Sequence, residues 1–214
     1  MGARARRRPA GSEPPGGGLL EQAVAANPLT QFQSWFADAS GLAVLAEAAA
    51  LATADPSGRP SVRMVLVRTW DEAGFVFYTD TGSLKGHDLR GNPRAALLWY
   101  WPALGRQVRV EGRVSGIPAA QVDEYFSSRP RGSQLSALGS RQSRAVASRA
   151  ELESRVAELR LRYRGRSVPR PHRWQGFRVE PISYEFWQQR PDRLHDRLRY
   201  RWAGSRWRLQ RLQP

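Results

Sequence analysis

Residues 63–85 read RMVLVRTWDEAGFVFYTDTGSLK. Two β-patterned runs, Ser61–Thr69 and Phe75–Thr79, flank Asp71-Glu72-Ala73-Gly74, a turn by composition. Ser83 then opens a short helix expected to stop at Gly91, with Asn92-Pro93 beyond it. Cationic and hydroxyl side chains recur along the stretch: Arg63, Arg68, Tyr78, Thr79, Ser83 and Lys85. Neighbouring strands and a helix N-terminus can aim such groups at one anion, because unpaired N–H groups and the helix dipole favour a phosphate there. Taken alone, the stretch reads better as an ordinary hairpin with solvated charges. The rest of the chain decides.

Toward the N-terminus, Asn27-Pro28 is an N-cap with proline at the first helical position. Leu29, Phe32, Trp35 and Phe36 follow at helical spacing as one apolar face, and Gly41 suits the stop. The Ala-rich run after Gly41 predicts a second helix that leads into a strand near Ala50–Ala54, and Asp55-Pro56-Ser57-Gly58 turns the chain. Residues 1–18, MGARARRRPAGSEPPGGG, bury no apolar area and read as a disordered tail. Their PPGGG run lacks the Gly-Lys-Ser/Thr of a phosphate loop.

Toward the C-terminus, Ala95–Trp101 and Gln107–Gly116 are further strands. The short turns predict a meander of about five antiparallel strands closing as a barrel. Pro118 starts a helix through about Phe126, and Ser148-x-x-Glu151 is a capping box before Leu152, Val156 and Leu159. Between them Ser127–Arg149 is polar, Arg- and Ser-rich, and too long for a plain connector, a length often functional in loops. Phe177–Pro214 reads as three or four strands broken at Gln188–Asp192 and Ala203-Gly204. In a strand through RLHDR, Arg193, His195 and Arg197 would share one face, Leu194 and Asp196 the other.

The chain has 214 residues, enough to bury a real core, and no apolar run long enough to span a bilayer. The basic start is not followed by an apolar segment, so no secretory signal is expected, and a cytoplasmic location is the default. Without cysteine, disulfides, thiolate metal sites and a Cys nucleophile are excluded. The formal charge of +15 suggests nucleic acid, but Lys85 is the single lysine among 34 basic residues. So strong an arginine bias fits genome composition better than a surface built to track phosphates, so no nucleic-acid or membrane partner is expected. The three histidines, His87, His172 and His195, lack metal-ligand spacing, and no metal is expected. A nucleophile elbow, an acid/base carboxylate pair and a dinucleotide Gly fingerprint are also missing. What remains is an Arg-, Ser- and Tyr-rich set suited to phosphate and carboxylate recognition, with Trp187 as a flat aromatic beside it.

From Asn27 to Pro214 the sequence resembles the pyridoxamine/pyridoxine 5′-phosphate oxidase family. The resemblance is carried by RMVLV at 63–67, FVFYT at 75–79, Ser83-x-Lys85, RQVRVEG at 106–112 and YFSSRPRGSQ at 125–134. Arg141-Gln142-Ser143, EFWQ at 185–188, RLHDR at 193–197 and the terminal RLQP complete it. The combined reading is a mainly β fold with flanking helices (α+β): a six- to eight-stranded antiparallel split β-barrel over residues 19–214, including a C-terminal dimerisation and substrate region. The resemblance implies a homodimer with FMN at each end of the subunit interface. It also implies oxidation of pyridoxamine or pyridoxine 5′-phosphate to pyridoxal 5′-phosphate, dioxygen as acceptor and hydrogen peroxide as product.

Carried over by position, Arg63, Met64, Val65, Leu66, Val67, Arg68, Tyr78, Thr79 and Lys85 would line the FMN phosphate and ribityl chain. Gln107, with Gln142 and Ser143 from the partner subunit, would meet the flavin or its chain, and Trp187 and Arg197 would complete that pocket. Tyr125, Arg129 and Ser133, with Arg68 beside them, would hold the substrate phosphate. Arg193 and His195 would press the pyridine ring against the flavin as the catalytic pair. Three positions depart from the family pattern: Arg68 stands for a usual lysine, Leu84 for a usual arginine, and Gly11–Pro14 lacks the arm's Arg and Tyr. Similar losses occur in phenazine-biosynthesis flavin oxidases, which take a bulkier carboxylated tricycle and are the rival reading. A non-catalytic flavin- or heme-binding split barrel is the other.

Overall fold

Asn27 opens the first helix as its sequence requires. In the computed structural model, which describes residues 18–214, its Oδ1 accepts from Leu29 N at 2.8 Å and α1 runs Pro28–Ser40. The remaining elements are β1 (Ala48–Ala54), β2 (Pro60–Asp71), β3 (Gly74–Asp80), α2 (Leu84–Gly91), β4 (Arg94–Trp101), β5 (Arg106–Gly116) and α3 (Ala119–Ser128). After these come α4 (Arg131–Gly139), α5 (Arg149–Arg162), β6 (Trp174–Gln188), a 3-10 turn at Pro191–Arg193, β7 (Asp196–Trp202) and β8 (Trp207–Arg211). The tail expected over residues 1–18 and the arm at Gly11–Pro14 lie outside the described residues, Gly18 excepted.

The strands hydrogen-bond in the order β3-β2-β1-β4-β5-β6-β7-β8, and β3 also pairs with β6. Six strands therefore close into an antiparallel barrel, and β7 and β8 extend from β6, as the α+β split-barrel reading expects. The order is not a simple meander. After β3 the chain crosses through α2 and lays β4 beside β1, so β1 ends up between β2 and β4. The chain divides into two compact units, and β1, β4, β5 and β6 run through both.

One unit comprises the described chain up to Ala50, Ala96–Glu111 and Pro181–Pro214. Its core is aromatic: Phe32 lies 4.9 Å from Trp99, and Trp35 meets Phe186 edge-on at 5.3 Å. Arg106 covers Trp35 at 4.6 Å while pairing with Asp38 at 2.6 Å. The N-terminal end is tied down by Leu19 N donating to Asp196 Oδ2 at 3.0 Å and by Arg211 on Glu21. That pairing holds the Glu21 carboxyl at about 2. The helix predicted after Gly41 does not form. Residues 42–47 form turns, Trp101 Nε1 donates to Ala46 O at 3.2 Å, and β1 starts at Ala48 with alternate residues buried. Strand pairing and alternate burial override the helical propensity of the alanines here.

The other unit comprises Leu51–Ala95 and Gly112–Glu180. The hairpin β2–β3 pairs Trp70 with Phe75 and Asp71 with Gly74, and β3 pairs Phe77 with Phe177 of β6. Ser83 caps α2 through Gly86 N, and Gly86 is obligatory. A Cβ there would lie 2.4 Å from Thr81 O, so only glycine lets α2 start this close to the end of β3. The long polar segment holds a helix, α4, docked by buried Leu135 into a cluster of Val122, Phe126, Val168 and Trp174. Ser148 caps α5 as predicted, its hydroxyl accepting from Glu151 N at 3.1 Å. None of the α5 side chains is fully buried, although Val156 and Leu159 pack half-buried against that cluster. Among the described residues no helix is long and apolar enough to cross a membrane.

Candidate active site

The second unit holds a cavity of about 750 Å³ that gathers most of the predicted residues. Strand β2 contributes Met64, Val65, Leu66 and Arg68, and β3 contributes Tyr78, Thr79 and Asp80. Helix α2 adds Lys85, the α3–α4 region adds Tyr125, Arg129 and Ser133 among others, and Ser140, Gln142 and Trp174 also line it. Among the second-unit site residues, three do not line it. Val67 faces the core, fully buried. Ser143, at φ 67°, lines a neighbouring cavity with Arg141 and Arg144. Arg63 sits behind the wall, donating to Thr53 Oγ1 at 2.7 Å, Ser61 Oγ at 2.5 Å and Leu51 O at 3.2 Å, with Asp88 at 3.8 Å.

Two cationic loci face this cavity, and each is electrostatically short of a partner. Lys85 is buried at 7 % exposure, yet its Nζ reaches only neutral oxygens in its hydrogen bonds, Gln142 Oε1 at 2.9 Å and Thr79 Oγ1 at 3.2 Å. Burial pushes its pKa down, Arg63 pushes it further, and Asp80 opposes both. The second locus is Arg129, whose Nη1 is buried without any hydrogen-bond partner. Its guanidinium lies over Trp174 at 4.8 Å and Phe126 at 5.8 Å. Burial lowers its pKa, Tyr125 opposes the shift, and Arg68 adds to it. A buried cation whose hydrogen bonds reach no carboxylate is costly, and an incoming anion relieves it.

Between the loci runs an aromatic wall. Tyr78 stacks on Tyr125 at 4.0 Å and on Trp174 at 5.2 Å, the latter pair only 8° from parallel. The β3–β6 register sets Tyr78 opposite Gly176, where a Cβ would lie 3.0 Å from the tyrosine ring and 2.5 Å from Ile117. Glycine is what lets the ring lie flat there. Sequence reasoning missed Trp174, although it shares the strand alternation with Gly176. Gln142 reaches Lys85 and Thr79 from the same chain, where the resemblance implies the partner subunit. Leu84, the first residue of α2, is exposed and outside the lining.

The remaining predicted residues, Gln107, Trp187, Arg193, His195 and Arg197, belong to the first unit. Trp187 pairs with Arg197 across β6 and β7 and lies 4.6 Å from the His195 ring. Arg197 binds the buried Glu185 through Nε at 2.8 Å and Nη2 at 2.7 Å, and Arg109 takes the other oxygen at 2.7 Å. His195 Nδ1 accepts from Arg190 N at 3.1 Å, and burial and Arg193 lower its pKa, so the ring stays neutral with Nε2 as donor. Gln107 is half-buried on β5. The strand expected through RLHDR starts only at Asp196. Asp192 and Arg193 have φ of 53° and 61°, left-handed backbone that breaks alternation, so Arg193, His195 and Arg197 do not share a strand face.

A barrel with an anion-seeking, aromatic-walled cavity defines the class of a small-molecule enzyme. The family described as pyridoxamine 5′-phosphate oxidase matches residues 43–163, and its C-terminal dimerisation region matches 174–214. A pyridoxine/pyridoxamine 5′-phosphate oxidase of Rubrobacter xylanophilus is 52 % identical over 92 % of this chain and 91 % of its own. PhzG from Burkholderia lata, solved with tetrahydrophenazine-1-carboxylic acid, has a TM-score of 0.86 at 33 % identity, covering 92 % of this chain and 98 % of that one. A pyridoxamine 5′-phosphate oxidase-related, FMN-binding protein of Nostoc punctiforme shares the fold, with a TM-score of 0.71 at 18 % identity over 89 % and 100 %. The chain belongs to the pyridoxamine 5′-phosphate oxidase family of oxidoreductases. Its C-terminal region is the part that the family uses for dimerisation.

Proposed function

We propose that this chain oxidises pyridoxamine or pyridoxine 5′-phosphate to pyridoxal 5′-phosphate, using FMN and dioxygen and releasing hydrogen peroxide. The observation that carries it is the pairing of two under-neutralised cations, Lys85 and Arg129, in one cavity lined by flat aromatics. Two anionic groups and a planar ring system are what such a cavity neutralises and stacks. FMN fits the Lys85 side: a buried ammonium held by an amide and a hydroxyl oxygen welcomes a phosphate.

Bound FMN would supply the hydride-accepting chemistry, with dioxygen as terminal acceptor. The protein's part is binding and orientation. Lys85 and Thr79 hold the cofactor phosphate, with Arg63 adding positive potential from behind, and β2 residues 64–66 line the chain that leads from it. Arg129, Tyr125 and Ser133, with Arg68, hold the substrate phosphate, and Trp174 keeps the Arg129 guanidinium flat. Neutral His195 donates through Nε2 and Arg193 supplies charge to the pyridine ring; Gln107, Trp187 and Arg197 complete the flavin site, in a homodimer with FMN at the subunit interface. Ser143 follows Gln142 as a further contact to the flavin chain.

Fixing the substrate carbon against its oxidant is the contribution these binding residues make to the rate. The test is purified protein with FMN and each B6 phosphate, followed for peroxide and pyridoxal 5′-phosphate. Turnover with either substrate is expected. Bound FMN with no peroxide, together with turnover of a reduced phenazine-1-carboxylic acid, gives the reaction to the tricyclic class, the reading favoured by Leu84 and by the likeness to PhzG.

A further inference from the structure

Arg173 lies just before β6, outside the cavity lining, and is linked to its Lys85 edge through Asp80 and the end of α4. Its Nε donates to Asp80 Oδ2 at 2.8 Å. Its Nη2 donates to Ala137 O at 3.1 Å, Leu138 O at 3.0 Å and Ser140 O at 2.7 Å. The carbonyls that end a helix have no partner inside it, and a cation there also suits the helix dipole. Arg173 satisfies that end of α4 from more than thirty residues away in sequence. Asp80 is equally committed. Its Oδ1 accepts from Gly82 N at 2.7 Å, and its carbonyl accepts from Ser83 Oγ at 2.6 Å, so it builds the turn that launches α2 and Lys85. On the other side, Ser140 leads within two residues to Gln142, whose Oε1 meets Lys85 Nζ at 2.9 Å.

We infer that Arg173 is a positioning residue for the anion site: it clamps the end of α4 onto the β3–α2 turn and so fixes Gln142 against Lys85. This rests on the reading of that edge as the FMN phosphate site. The planar guanidinium fork spans one carboxylate and three carbonyls, which an ammonium cannot do. Its effect is therefore phosphate-specific, passes through Gln142 and is not rescued by lysine.

The experiment compares FMN and riboflavin binding, by flavin fluorescence, for the full chain and for Arg173→Ala, Arg173→Lys, Gln142→Ala and the Arg173→Ala/Gln142→Ala double variant. Amide exchange of the peptide spanning Ser140–Arg144 is read alongside. FMN affinity is expected to fall about tenfold in Arg173→Ala with riboflavin affinity unchanged. Arg173→Lys should recover only a small part of that loss. In the Gln142→Ala background the loss should disappear, the coupling expected of residues acting as one unit. Amides of residues 140–144 should exchange faster in Arg173→Ala without flavin.

Unchanged FMN affinity in Arg173→Ala, additive losses in the double variant, or equal losses of FMN and riboflavin overturn the clamp. If the unsubstituted chain itself binds FMN no better than riboflavin, the phosphate reading of Lys85 falls, and with it the clamp's assignment to that site. The exchange data then separate the two failures. Faster exchange in Arg173→Ala leaves α4 clamped for another purpose, and unchanged exchange removes the clamp itself.

Discussion

Glu185 and Lys85 are both buried charges, at 3 % exposure for the carboxylate residue and 7 % for the lysine, but their company differs. Glu185 is matched twice, by Arg109 and Arg197. The hydrogen bonds of Lys85 go to an amide and a hydroxyl oxygen. One arrangement is complete in the protein alone, and the other becomes complete with an anion. A net charge of +15 does not distinguish them; the partner of each charge does.

The largest expected difference between the two buried charges is in stability. Glu185→Leu leaves Arg109 and Arg197 facing each other without their shared carboxylate. Both guanidiniums are about one-third exposed (38 % and 29 %), so water offsets part of the penalty. The expected loss is about 3 kcal/mol, a fall of about 6–12 °C in the melting temperature of a chain of this size. Lys85→Met should show no such fall, because it replaces a desolvated ammonium by an apolar group of similar shape. Its cost appears on binding: FMN affinity drops by about tenfold to a hundredfold, riboflavin affinity does not. Equal melting losses in the two variants, measured by calorimetry without flavin, would erase the distinction.

Protonation separates Lys85 from Glu185 by a smaller effect. Burial and Arg63 hold the Lys85 pKa below its usual 10.5 in the free protein. In the unfolded chain the group keeps its ordinary value, so the folded state binds fewer protons in the window between the two. Stability attributable to Lys85 therefore rises with pH across that window, as the unfolded chain sheds the proton the folded one has already lost. Anion binding has the opposite sense. The FMN-over-riboflavin preference is present while Lys85 is charged and declines as pH rises through its lowered pKa. A titration of both flavins from neutral pH upward checks this, and a preference that stays constant past pH 10.5 removes Lys85 from the phosphate site.

What could be read from sequence followed local rules. Asn27-Pro28, Ser83 and Ser148 cap their helices because capping depends on a few adjacent residues, and Asp71–Gly74 turns the chain because Gly74 takes a φ of 132°. The split-barrel family followed from motif order. What escaped depends on partners far away in the chain. Helix α4 buries only Leu135 and is held by Arg173 at one end and by Gln134 Nε2 on Ser127 O and Arg129 O at the other. No periodicity announces such ties. Residues 42–47 look helical by composition but are too short to repay nucleation once β1 claims Ala48 onward. The RLHDR motif was visible as a set of residue types, and its backbone, left-handed at Arg193, was not.

The smallest expected effect concerns Leu84, the residue before Lys85 in the chain. Leu84 is the first residue of α2 and 44 % exposed, so a longer side chain meets solvent rather than core. Without ligand, Leu84→Arg places a cation at a helix N-terminus, where the dipole disfavours it by about 0.3–1 kcal/mol. With a phosphate bound at Lys85, the same guanidinium gains a charge-assisted contact across partly exposed solvent, a several-fold tightening corresponding to about 1 kcal/mol. The two effects have opposite signs. Flavin-free protein should melt slightly lower than the unsubstituted chain, and FMN-saturated protein slightly higher. If both states melt lower, the introduced guanidinium senses the dipole and no phosphate, and the anion on this edge must sit nearer Arg129 than Lys85.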